Sequence, residues 1–224
     1  MSFSGFDQKV YPGDSVMEAG KASLPYSFCG YYLASPCHPN ASWMGTHDTL
    51  VSQQWNMLII YVGQQVAGGP CPQNNVNAAQ GLADAIDAAA KASSEGFPSG
   101  SSVYLDVEPI DPGSPDLDSM KDYVEAWVQQ MLTSTYKPAI YCHKKNADAM
   151  QAVVAAAGGD ASTRFWVTGS GTIDFSIADD PTDSGVAFAT VWQNPVSTTQ
   201  AFGNVNVDID ENVSSMADPS APSA

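Results

Sequence analysis

Residues 57–63 read MLIIYVG, a run without a charged or amide side chain. A strand with one wet face alternates apolar and polar residues. An unbroken apolar run of this length instead fits a strand covered on both faces, as in a parallel sheet flanked by helices. The neighbouring segments agree. On the C-terminal side, residues 75–95 (NVNAAQGLADAIDAAAKASSE) are Ala-rich, and Leu82, Ala85, Ile86 and Ala89 recur at helical spacing. GFPSG then breaks the helix, and SVYLDVE (102–108) opens the next strand. On the N-terminal side, FSGFD (3–7) and SFCGYYL (27–33) read as strands, separated by the turn signal YPGD and a short helix over 14–24. A second short helix near 46–55 leads into MLIIYVG.

The alternation continues to the end of the chain. Ser114 or Asp116 can cap a helix whose apolar stripe is Met120, Tyr123, Val124, Trp127, Val128 and Met131. KPAIYCH (137–143) is a strand, and the Ala-rich helix over 146–157 is closed by Gly158-Gly159. TRFWVTG (163–169), GVAFATVWQ (185–193) and GNVNVDID (203–210) are the last strands. Eight strand candidates separated by at least four helices predict an α/β fold. A (β/α)8 TIM-type barrel, modified or incomplete, suits that count; a doubly wound open sheet is the alternative. Residues 1–212 are expected to form a single barrel domain, and the low-complexity residues 213–224 a disordered tail. No GxGxxG or GxxxxGK[ST] follows a strand, and no GxSxG elbow is present, so nucleotide binding and acyl transfer have no motif.

The chain carries 24 acidic residues against 8 Lys and Arg, for a formal net charge of −16. Binding to nucleic acid or to anionic lipid needs clustered cations, so neither partner is expected. No stretch reaches the roughly 18 apolar residues of a membrane span, so no membrane insertion is expected. An acidic surface repels copies of itself, and a monomer is expected. The N-terminal stretch MSFSGFDQKVYPGD has neither a basic n-region nor an apolar h-region, so no signal peptide is read in it. Cys29 and Cys142 lie in strand-like runs and read as buried small hydrophobes. Cys37 and Cys71 lie in Pro-rich loops; a disulfide between them would imply an oxidising compartment, and four free thiols are the alternative. The cysteine spacings match no zinc pattern.

In parallel α/β folds the site lies at the C-terminal ends of the strands, and three strand ends here are acidic. The first ends in Asp7, the fourth in Asp106 and Glu108, the last in Asp208 and Asp210. Strand side chains repeat every two residues, so Asp106 and Glu108 share a face. If the barrel closes, Asp7 and Asp208 meet, facing the fourth strand across the mouth. Clustered carboxylates raise one another's proton affinity, which is how an acid stays protonated near neutral pH and serves as a general acid. Any one of these acids is more simply a helix cap or a solubilising charge; the three strand ends together point to a site. DIDEN (208–212) opens like an EF-hand loop, but Val213 and Pro219 stand where Gly and Glu are required, and no metal is expected. Tyr32, Tyr61 and Trp166, near strand ends, could stack on a pyranose, and Gln64, His143 and Gln193 could hydrogen-bond a sugar.

The ordered set GFD…YPGDSVM, FCGYYL, IIYVGQQ, VYLDVEP, YVEAWVQQM, KPAIYC, RFWVT, VWQ and VDID resembles the glycoside-hydrolase-like domain of unknown function 1906, over residues 3 to about 211. That family is similar to the family 25 glycoside hydrolases, the Chalaropsis-type lysozymes, which have a modified (β/α) barrel and cleave the β-1,4 bond after N-acetylmuramic acid in peptidoglycan. The resemblance implies Glu108 as general acid/base and Asp106 as its partner, positioning the substrate N-acetyl group or stabilising the charged intermediate. It implies Asp7 and Asp208 as lining residues that tune those two. The partner it implies is a polysaccharide, with action outside the cell or at the envelope, and no cofactor. The alternative is a catalytically inactive glycan-binding module on the same barrel. The chain departs from the lysozymes in QKVYPGD after Asp7 and in VWQNP around Gln193.

Overall fold

A computed structural model describes residues 1–66, 71, 75–169, 171–174 and 179–222. The chain alternates β1 (Phe3–Asp7), α1 (Asp14–Ser23), β2 (Phe28–Leu33), α2 (His47–Ser52), β3 (Asn56–Val62), α3 (Ala78–Ser94), β4 (Ser102–Val107), α4 (Asp116–Thr133), β5 (Lys137–His143), α5 (Lys144–Ala156) and β6 (Arg164–Thr168). A 3₁₀ turn (Pro181–Ser184), β7 (Val191–Gln193), β8 (Thr198–Phe202) and β9 (Val205–Ser214) follow. Strands β1 to β7 pair in sequence order, all parallel. β9 pairs antiparallel with both β7 and β1 and closes an eight-stranded barrel, with β8 outside it. The fold is therefore the expected α/β barrel in modified form: mostly parallel, with an incomplete set of helices.

The closing strand is the principal departure from strict alternation. A parallel return needs a crossover of about a dozen residues, usually a helix. Here the chain leaving β7 turns into β8, which forms a hairpin with the first half of β9, Phe202 opposite Val205. The second half of β9 then fills the last barrel position upside down, with Asp210 opposite Asp7 and Ser214 opposite Phe3.

Inward and outward residues follow the strand period. On β4, the Tyr104 hydroxyl reaches the Pro219 carbonyl inside the barrel, while Val103, Leu105 and Val107 are buried on the alternate phase. The α4 stripe is buried as expected. Helix α3 is rotated from its expected face: Leu82 and Ile86 are 46% and 50% exposed, and Gly81, Asp84, Ala85, Ala88 and Ala92 are buried. Close packing against α4 decides this, since a Cβ on Gly81 would lie 2.2 Å from the Tyr123 carbonyl oxygen. Asp84 is buried because it accepts from the Tyr123 hydroxyl at 2.6 Å and from Gln80 Nε2 at 2.7 Å.

The C-terminal residues, expected as a disordered tail, instead close the bottom of the barrel through residue 222. The Pro219 carbonyl accepts from Tyr104 and from Arg164 Nη1, at 2.9 and 2.8 Å. Ser220 Oγ accepts from the Ile59 N–H at 2.9 Å, and the Ser220 carbonyl accepts from the Ser102 N–H at 2.9 Å. Backbone groups at the strand starts need partners where helices do not cover them, and this segment supplies them. Composition alone does not register such contacts.

Candidate active site

The opposite end of the barrel carries a cavity of about 190 Å³. Asp7 (the last residue of β1), Tyr32 (β2), Asp106 (β4), Tyr141 (β5), Trp166 (β6), Gln193 (the last residue of β7) and Asp210 (β9) line it, together with Glu108 one residue beyond β4. Lys9, Val62, Gln65 and the segment Cys37–His38 complete the wall with Cys71. Cys37 and Cys71 form a disulfide, which fastens the loop after β2 to the segment after β3. Cys29 and Cys142 are free and buried.

Asp7 is the most enclosed acid. Its Oδ1 accepts from the Tyr32 hydroxyl at 2.7 Å, and its Oδ2 accepts from Gln193 Nε2 and Asn212 Nδ2, both at 2.8 Å. The polarity of this network is fixed from outside. The Trp166 indole can only donate, and it donates to Asn212 Oδ1 at 2.8 Å, which turns the Asn212 amide nitrogen toward Asp7. The Tyr141 hydroxyl donates to Gln193 Oε1 at 2.8 Å with the same consequence. Burial, then the nearby Asp210, pushes the Asp7 carboxyl up to about 7, against the three donors. Room for Asp7 comes from Gly30 on the next strand, where a Cβ would lie 2.6 Å from the Asp7 Cβ.

Asp106 and Glu108 share the cavity, as the strand period requires. Burial, then Glu108 and Asp7, raises Asp106 well above the carboxylate range. Its Oδ1 is buried with no hydrogen-bond partner among the described residues. Glu108 is half-buried and makes no ion pair among them; burial raises its proton affinity, Lys9 lowers it and Asp210 raises it. Gln65 pins the backbone between the two acids: its Nε2 donates to the Asp106 carbonyl at 3.0 Å, and its Oε1 accepts from the Glu108 N–H at 3.2 Å. Burial and neighbouring carboxylates also push the Tyr32 and Tyr141 phenols up, so both remain neutral donors. The cavity can thus present a protonated carboxylic acid to a bound ligand beside further acids.

Of the residues singled out in the sequence, Asp7, Asp106, Glu108, Tyr32, Trp166 and Gln193 come together here. Trp166 and Tyr32 are buried in the lining, Trp166 against Tyr141 with ring centroids 4.3 Å apart. Four residues lie elsewhere. Asp208 is exposed on the β8–β9 hairpin, accepting from Thr199 Oγ1 at 2.6 Å, outside this cavity but on an adjoining cleft that Asp7, Lys9 and Asp210 also line; the antiparallel register puts Asp210, not Asp208, opposite Asp7. Tyr61 falls on the outward phase of β3, and its hydroxyl donates to Asp87 on α3 at 2.8 Å. Gln64 faces Asp84 beneath α3, at 3.4 Å. His143 turns back to cap α5, its Nδ1 accepting from the Lys145 N–H at 3.1 Å.

Beyond those, the site includes Tyr141, Gln65, Asn212, Lys9 and His38, which the sequence reading missed, and Asp210, which it named as a strand-end acid without giving it a place in the site. Two carried a usable signal. Tyr141 shares the inward phase of KPAIYCH with Ala139, and Asp210 stands two residues from Asp208 in VDID.

The chain matches the family described as "Rv2525c-like, glycoside hydrolase-like domain" over residues 19–214. No curated protein matches it. Among solved structures, it is similar to an uncharacterized protein of B. stearothermophilus, with 22% identity, 95% of each chain covered and a TM-score of 0.66. It is similar to the Tat-secreted protein Rv2525c of Mycobacterium tuberculosis, with 16% identity over 94% of this chain and 93% of that one, and a TM-score of 0.59. It is also similar to the spore cortex lytic enzyme SleM of Clostridium perfringens, with 11% identity over 95% of this chain and 67% of that one, and a TM-score of 0.62. At these identities the likeness is one of fold.

Proposed function

The chain belongs to the Rv2525c-like, glycoside hydrolase-like family, and on that premise we propose that it is a glycoside hydrolase cleaving β-1,4 linkages in peptidoglycan or a related N-acetylated polysaccharide. One observation carries the reading: Asp106 and Glu108 enter a single cavity at the C-terminal end of the barrel beside Asp7 and Asp210. Glu108 is the general acid/base. Its raised proton affinity suits an acid that must hold a proton until the glycosidic oxygen needs it. Asp106 positions the acetamido group of the substrate or stabilises the charge that develops on the sugar ring. Asp7 and Asp210 set the charge around those two, in the place first expected for Asp208. The similar fold of a spore cortex lytic enzyme supports a wall glycan as substrate. The Cys37–Cys71 disulfide, together with the Tat secretion of the similar mycobacterial protein, supports action outside the cytoplasm.

The test is release of reducing ends from purified peptidoglycan. Wild type is expected to release them, and Glu108→Gln to lose release at least about 100-fold with an unchanged melting temperature. A wild-type protein that never releases reducing ends overturns the reading. A second reading is a non-catalytic glycan-binding module on the same barrel. It predicts affinity without turnover, and binding that Glu108→Gln leaves unchanged.

A further inference from the structure

The cavity at the barrel mouth continues past its acids. A second hollow of about 270 Å³ adjoins it on the β1–β9 side, lined by Asp7, Gln8, Lys9, Ser197, Asp208 and Asp210. Asp7, Lys9 and Asp210 belong to both linings and so form the border between the two. Two larger hollows, of about 500 and 480 Å³, share no lining residue with the cavity. The walls of the cleft are held from outside it. The Gln8 carbonyl accepts from Trp43 Nε1 at 2.9 Å, Gln8 Oε1 accepts from the Val10 N–H at 2.7 Å, and the Tyr11 N–H donates to Ser42 Oγ at 2.9 Å. On the hairpin side, the Ser197 N–H donates to Asp210 Oδ1 and Thr199 Oγ1 to Asp208 Oδ1, both at 2.6 Å. The turn before Ser197 is tied to β9 as well, with the Glu211 N–H donating to the Pro195 carbonyl at 3.1 Å. The cleft is therefore preformed.

Its chemistry suits a sugar. Every side chain on the lining can donate or accept a hydrogen bond, and none is apolar. Lys9 is exposed and makes no ion pair among the described residues, although acids flank it, so its ammonium is open to a ligand acceptor. Size points the same way. The cavity alone, at about 190 Å³, is smaller than the roughly 300–1,000 Å³ usual for ligand sites, and the two hollows together fall inside that range. An enzyme that cuts within a glycan chain has to hold a ring on each side of the bond. Glu108 stands on the cavity side of the border, close enough for Lys9 and Asp210 to act on its proton affinity. A glycosidic bond that crosses the border therefore passes beside the proposed acid.

We propose that the cleft is a second sugar subsite, so that a β-1,4-linked N-acetylated glycan lays one ring in the cavity and the next in the cleft, where Lys9 and Asp208 bind its polar substituents. The inference rests on the glycan reading above and extends it to the neighbouring ring. The probes are N-acetylglucosamine and its β-1,4-linked disaccharide. Each is titrated into the full-length ¹⁵N-labelled protein, with Glu108→Gln used where wild type cleaves the disaccharide. The disaccharide is expected to move the Trp166 indole resonance, which reports on the cavity, and the Ser197 amide, which reports on the cleft, along one isotherm. The indole of Trp127, on α4, is expected to stay in place. Asp208→Trp fills the cleft from the exposed hairpin. It is expected to weaken the disaccharide about tenfold and to leave N-acetylglucosamine within about threefold of wild type. A disaccharide that moves Trp166 and leaves Ser197 in place, an Asp208→Trp variant that binds it like wild type or loses both probes equally, or no binding up to about 10 mM overturns the proposal. Movement of both resonances without bond cleavage upholds the subsite and removes the hydrolase reading; cleavage with a stationary Ser197 does the reverse.

Discussion

Asp7→Asn probes the electrostatics of the site through the stability of the fold. Asp7 is 3% exposed, and its carboxyl is pushed up to about 7, chiefly by burial and next by Asp210, from an ordinary value of 3.8. The unfolded chain therefore releases this proton as pH passes about 4, whereas the folded chain holds it until about 7. Between those values the native state binds more protons, so stability falls as pH rises. The contribution is fully present below the unfolded value and is lost through the folded one. At about 1.4 kcal/mol per unit, a rise of about three units amounts to at most about 4 kcal/mol. Asp106, Glu108 and Asp210 share the same field, which lowers the part belonging to Asp7 alone. Asparagine does not titrate. It also presents an amide nitrogen where a carboxylate oxygen had accepted, a cost that does not vary with pH. The informative quantity is thus the pH dependence of the difference between the two proteins. Urea denaturation of both at constant ionic strength from pH 4 to 8 is expected to shift that difference toward the variant by about 2–4 kcal/mol. A difference constant to within about 0.5 kcal/mol across the range would refute the argument, because Asp7 would then titrate as an ordinary carboxylate.

Two further substitutions address the frame around the site. Gly30→Ala places a Cβ 2.6 Å from the Asp7 Cβ and 2.9 Å from Ile60 Cδ1, and is expected to destabilise by about 1–3 kcal/mol while displacing Asp7. Gly113→Ala, with nothing within 4 Å of the added carbon, is the control, and equal melting temperatures for the two variants would contradict the crowding. Replacing Cys37 and Cys71 together by Ser releases a link spanning 34 residues, for which loop entropy gives a loss of about 3–4 kcal/mol. If neither the double substitution nor a reductant alters the denaturation midpoint, the link contributes nothing to stability.

Much of the barrel is legible in the chain because local chemistry and global position agree in its parallel half. MLIIYVG has to be covered on both faces, and it lies between β2 and β4. The α4 stripe points to its own burial. Asp106 and Glu108 share a face by the period of a strand, whatever surrounds them. Helix α3 departs from its pattern because its contact with α4 is set by glycine and alanine. The smallest side chains then lie inside, and Leu82 and Ile86 remain outside. Hydrophobic periodicity alone ranks those positions in the opposite order.

What the sequence determined by itself is the eight strands of the barrel, without the hairpin strand β8, their mostly parallel order, and the Asp106–Glu108 pair at the end of β4. Each follows from spacing within one segment. What only the tertiary structure decided is which residues from different segments meet that pair. The reversal of β9 brings Asp210 rather than Asp208 to Asp7. The outward phase of β3 gives Tyr61 to α3. The disulfide-fastened loop brings His38 onto Tyr32. Pro219 and Ser220 are held by strand residues far from them in the chain. The physical reason is common to all four: strand direction, register and loop closure are settled by pairing between distant segments, and no local pattern encodes the partner.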